Sequence, residues 1–164
     1  HLFMEVGYAS AQLLNLWIKS DNDEILDQIE RNLEKDKVIA KGPNVFEFYR
    51  KIKRLCPETV FHGTDMEHQY ETTGKQYLKY LDENGRKNSN EYKLALQVAE
   101  QRKKYEELGK RFWHKREEMI IKNFKRELDS LNGTSVIGTY ASSHTADRLL
   151  KIYENRAYSK ELRK

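Results

Sequence analysis

Apolar positions recur along this chain with two different spacings, and the changes of spacing mark the element boundaries. "HLFMEVG", residues 1–7, is a continuous apolar run ending in Glu5 and Gly7, which predicts a buried strand running into a turn with a carboxylate at its carboxyl end. "ASAQLLNLWIK" follows with Leu13, Leu14, Trp17 and Ile18 at helical spacing, and "SDNDEILDQIERNLEK" opens on cap-type residues before Ile25, Leu26, Ile29 and Leu33. Two successive amphipathic helices are expected there. After a break at Gly42-Pro43, "NVFEFYRKIKRLC" predicts a helix capped by Asn44, with Val45, Phe48, Ile52 and Leu55 as its apolar face. Pro57 closes that helix, and "TVFHGTD" reads as a second short strand ending in Gly63 and Asp65.

"TGKQYLKYLDENG" predicts a helix stopped by Asn84-Gly85. From about Glu91 to Leu131 a long helical pattern then carries Leu94, Val98, Tyr105, Leu108, Phe112, Ile120, Phe124 and Leu128 as one stripe, with Gly109 as a place to bend. Its spacings do not hold a heptad over enough turns for a coiled coil. Asn132-Gly133 ends it, "TSVIGTYASS" is a third strand, and "TADRLLKIYENRAY" a final helix with a threonine cap.

Short strands separated by helices, with no hairpin turns, predict parallel strands joined by helical crossovers. The expected fold class is therefore α/β and helix-rich, as a single domain over residues 1–164. Three strands make a narrow sheet, and a buried parallel strand needs neighbours on both sides, so the sheet is expected to be incomplete. Ligands of open parallel sheets bind beyond the strands' carboxyl ends, and Glu5, Asp65 and His144 fall there, one per strand.

Composition narrows the function classes. The chain is 34% charged and 38% hydrophobic with two prolines, which excludes a disordered or collagen-like chain, and no apolar run approaches the roughly 18 residues of a membrane span. Thirty basic residues are offset by twenty-six acidic ones along the same segments, the pattern of solvated helix faces, so no nucleic-acid partner is expected. A single cysteine, Cys56, forms no internal disulfide, which fits a reducing compartment or indifference to one, and a cytoplasmic location is expected.

The candidate chemistry lies at the strand ends. Glu5 is either an acid/base carboxylate or a salt-bridge or capping one. "FHGTDMEH" brings His62, Asp65, Glu67 and His68 together, either to line a site or as hydrogen-bonded loop residues; with no HExxH or comparable signature, neither a metal nor a cofactor is expected. His144 follows two serines, but no GxSxG elbow occurs and adjacent strand residues point to opposite sides, so a general acid/base role with a distant carboxylate fits better than a serine dyad. Arg116 and Asn123, seven apart, share one helix face and reach either a site or its supporting loops. "KRFWHKR" reads as a packed helix face with snorkelling basic residues.

Read in order, several of these segments resemble the erythromycin esterase-like family of the wider Tiki and haem-uptake superfamily. "FMEVGYASAQLLNLWIKSDNDEIL" is similar to its strand–glutamate–helix segment, and "NVFEFYRKIKR" followed by "VFHGTDMEH" to its asparagine-started helix and Gly-x-Asp strand. "REEMIIKNF" resembles the family's arginine–methionine–asparagine helix at Arg116, Met119 and Asn123, with the last spacing one residue longer, and "VIGTYASSHT" its strand delivering a histidine, here His144. The resemblance covers roughly residues 3–150. It implies hydrolysis of a small-molecule ester such as a lactone through histidine-activated water, with Glu5 and His144 catalytic and Asp65, His68, Arg116 and Asn123 toward the substrate. The family's first motif, a Gly-Glu-x-His strand end bearing a principal catalytic histidine, has no counterpart here, nor have its later strands. The chain is thus expected to be the central part of a larger domain, inactive alone. The other functional class left open is a non-catalytic binding module, haem binding included, with a helical partner surface.

Overall fold

In the computed structural model, residues 1–36, 44–108 and 112–141 are described. The opening apolar run forms strand β1, Leu2–Gly7, and passes without a loop into helix α1, Tyr8–Trp17. Helices α2, Glu24–Lys35, and α3, Val45–Leu55, lead to strand β2, Phe61–Asp65. A π-helical turn, Tyr70–Gly74, runs into α4, Lys75–Glu83, followed by α5, Asn90–Glu106, α6, Phe112–Asp129, and strand β3, Ile137–Thr139.

The sheet is parallel throughout, in the order β2-β1-β3, with Phe3 opposite His62 on one side and Gly138 on the other. This is the helix-rich α/β arrangement expected, its strands joined by helical crossovers because parallel neighbours cannot be linked by a tight turn. The central strand is the most apolar: Leu2 and Met4 are buried in a core with Phe61, Trp17, Leu26 and Leu81, while Phe3, also buried, lies on the other face against His62 and Phe124. At Phe61 the edge of β2 is answered by a side chain. Asn15 of α1 donates from Nδ2 to the Phe61 carbonyl at 2.9 Å and accepts the Phe61 N–H at 2.8 Å. Among the described residues no helix is long and apolar enough to cross a membrane.

The structure corrects the sequence reading at four places. The long pattern from Glu91 is two helices, α5 and α6, and not one. A straight helix of that length would measure about 60 Å, far more than three strands can cover, and dividing the stripe between two helices lets α6 pack on both α5 and β2. In α3 the buried residues are Phe46 and Tyr49, with Tyr49 edge-on to Phe61, while Phe48 and Leu55 are exposed. Asn44 precedes that helix but its side chain makes no capping bond. The third strand is three residues long, and all three are exposed. The expected helix from Thr145 lies outside the described residues.

Candidate active site

Gly7 and Gly63 let β1 and β2 close together at their carboxyl ends. A Cβ on Gly63 would lie 2.3 Å from the Gly7 carbonyl oxygen, so this approach requires glycine. The sheet register slips between Met4 and Gly7, the stretch that holds Glu5. Glu5 and Asp65 are then brought under α6, which lies on β2 and supplies Arg116.

Arg116 joins the two strands. Its Nη2 lies 2.6 Å from Oε1 of Glu5 and 2.6 Å from Oδ2 of Asp65, and its Nε is 3.1 Å and 3.2 Å from the two Asp65 oxygens. Asp65 also accepts the Met66 N–H at 2.8 Å and meets Nε2 of His68 at 3.1 Å. The second Glu5 oxygen accepts the Ala141 N–H at 2.9 Å, tying the segment after β3 to the same cluster. Burial pushes the Asp65 carboxyl up, but the hydrogen bond and charge of His68, and then those of Arg116, outweigh it and hold the group below the usual carboxylate range. Burial likewise works against the Arg116 charge, and pairing with Asp65 and Glu5 more than offsets it.

Glu5, Asp65, His68 and Arg116 line one cleft of about 950 Å³, a volume at the upper end of the roughly 300–1,000 Å³ typical of small-molecule sites. Phe48, Tyr49, Tyr70 and Val45 form an aromatic and aliphatic wall, and Arg102 and Lys103 of α5 add cations. The exposure of Phe48 follows from this, since Val45 and Phe48, assigned from periodicity to the core, line the cleft. Lys103 Nζ stands 4.7 Å and Lys75 Nζ 5.7 Å from the centre of the Tyr70 ring.

The "FHGTDMEH" cluster divides three ways. Asp65 and His68 belong to the cleft. His62 stacks on Phe3 and bridges Nδ1 to Oε2 of Glu127 at 3.0 Å and Nε2 to His1 at 2.9 Å. Glu67, 1% exposed, accepts the Ala9 N–H at 2.9 Å and the Ser10 hydroxyl at 2.9 Å, so it caps α1 from 58 residues away. Burial pushes its carboxyl up against those bonds. Among the described residues no group of three or more His, Cys, Asp or Glu is placed to hold a metal ion.

Asn123 does not join the cleft. It is fully buried between α5 and α6, donating to Gln101 at 3.4 Å and accepting from Arg126 at 2.9 Å. His144 lies outside the described residues, three positions after Ala141. Sequence reasoning missed Arg102, which donates to the His68 carbonyl, and the capping role of Glu67; neither leaves a local pattern, because both contacts span distant segments. Comparison with protein-family models, curated proteins and solved structures returned no match in any of the three.

Proposed function

We propose that this cleft is the site of a hydrolase that resembles the erythromycin esterase-like family and cleaves a small-molecule ester, a lactone included, by histidine- and glutamate-assisted attack of water. The observation that carries this reading is the meeting of Glu5 and Asp65 on Arg116 at the carboxyl ends of adjoining parallel strands, on the wall of a ligand-sized cleft. In this reading Glu5 and His144 are catalytic, while Asp65, His68 and Arg116 shape the substrate side. Asn123 acts only by fixing α6 against α5.

Hydrolysis of p-nitrophenyl butyrate and of a macrolide lactone, assayed on the protein as its host makes it, tests the reading. Glu5→Ala and His144→Ala are expected to lower turnover by about 10²-fold or more with the fold retained by circular dichroism. Wild-type turnover in both variants overturns it. A second reading, a non-catalytic binding cleft, is favoured by the engagement of both Asp65 oxygens by Met66, His68 and Arg116, an arrangement that also suits a purely structural anchor. Ligand binding without turnover would select it.

A further inference from the structure

We propose that His68, placed above on the substrate side, is in addition a general base of this cleft, oriented by Asp65, an assignment that rests on the hydrolase reading and deepens it. The geometry begins with the ring. Its Nε2 lies 3.1 Å from Oδ2 of Asp65, and a carboxylate can only accept, so Nε2 carries a proton and, in the neutral ring that acts as a base, Nδ1 holds the lone pair. The orienting group is itself immobile. Asp65 is 1% exposed and is held by the Met66 N–H at 2.8 Å and by two nitrogens of Arg116.

The backbone of His68 is fixed at both polar groups. Its N–H donates to the Met66 carbonyl at 3.0 Å, and its own carbonyl accepts from Nη1 of Arg102 on α5. Position and tautomer are thus set independently, by α5 and by β2. The side chain nevertheless remains 29% exposed and lines the cleft, whereas that of His62 is 8% exposed and bonded at both nitrogens. A base must be reachable as well as oriented, and His68 satisfies both conditions.

The step balances without a further reactant. Nδ1 takes a proton from water as the water oxygen bonds to the ester carbonyl carbon. The resulting imidazolium returns that proton to the leaving alkoxide as the carbon–oxygen bond breaks, so ester and water give acid and alcohol. Asp65 remains ionised and is a positioning residue; Arg102 is another. The charges facing His68 are those of Asp65 on β2, Arg116 on α6, Arg102 on α5 and the neighbouring buried Glu67.

The test combines pH–rate profiles for p-nitrophenyl butyrate with nitrogen-15 spectra of the imidazoles. His68→Ala is expected to lower kcat by about 10²–10⁴-fold with KM little changed, and to remove the acid limb of kcat/KM. His68→Gln, closer in shape and still able to bond Asp65, is expected to be as inactive while folded. The wild-type spectrum is expected to show the neutral form of the His68 ring protonated at Nε2 and not at Nδ1, and Asp65→Asn to disturb that preference. Full kcat in His68→Ala, in a wild type that hydrolyses the ester, overturns the assignment and leaves the hydrolase reading standing. A wild type that cleaves no ester overturns both, and an Nδ1-protonated ring overturns the His68 assignment by itself.

Discussion

Gly7 lies so close to Glu67 that a Cβ added at position 7 would stand 2.3 Å from Oε2 of the carboxylate. The turn from β1 into α1 is therefore shaped around a carboxylate that arrives from the loop after β2. Gly7→Ala is expected to destabilise the fold by about 1–3 kcal/mol through overpacking. Urea denaturation checks it, and the double variant with Glu67→Ala is expected to lose less than the two single changes added together.

Asp65 and Glu67 bend the pH dependence of stability in opposite senses. The Asp65 pKa is lowered from 3.8 on folding, so the unfolded chain binds its proton first as pH falls. Its contribution is complete above the unfolded value and is lost as pH drops through the folded one. Glu67 is raised from 4.5, so the folded chain keeps its proton longer, and stability falls as pH climbs from that value through the folded one. Denaturation midpoints measured from about pH 3 to pH 8 are expected to show a shallower acid loss in Asp65→Asn and a flattened fall above the ordinary glutamate range in Glu67→Gln.

Arg116→Met leaves Glu5 and Asp65 facing each other without their shared cation. Losing one partner of a buried ion pair costs about 3–5 kcal/mol, so this variant is expected to be among the least stable single changes at the site. Arg116→Lys, a point charge without the fork, is expected to recover only part of the loss. Thermal denaturation of both variants at neutral pH decides this.

Asn15→Leu keeps the bulk of the side chain but removes both of its bonds to Phe61. Each buried backbone group left unpaired costs about 1–3 kcal/mol. Amide exchange at Phe61 is expected to quicken well beyond the rest of β2, and unchanged protection there would show that the side-chain bonds are unimportant.

The ends of β1 and β2 were legible in the sequence because their signals are local, whereas the third strand, expected over "TSVIGTYASS", spans only Ile137–Thr139 among the described residues. An apolar run with a carboxylate and a glycine at its end marks β1 and β2, and Asn84-Gly85 and Asn132-Gly133 mark helix stops, with positive φ at Gly85, Asn132 and Gly133. The face of α3 was not legible. Its apolar residues form two overlapping stripes, of which Phe46 and Tyr49 are buried, Tyr49 against Phe61, while Val45 and Phe48 line the cleft and Leu55 is left exposed. Arg116 was legible as a candidate, but its union of Glu5 and Asp65 joins residues 111 and 51 positions away, a relationship no window along the chain contains. Asn123 matched the same helix face by count and yet serves the α5–α6 contact, since seven residues move it two turns along the helix from the cleft.

Asn15 gives the sheet a direction. By answering both polar groups of Phe61 it acts as a one-residue substitute for a neighbouring strand, so the β2 side offers little to an approaching chain there. On the opposite side β3 is short and exposed, with Ile137 72% accessible. Among the described residues, then, a strand added in folding, assembly or unwanted aggregation would meet a β2 margin already answered at Phe61 and a β3 margin exposed along its length, and the answer at Phe61 is a single amide on a helix.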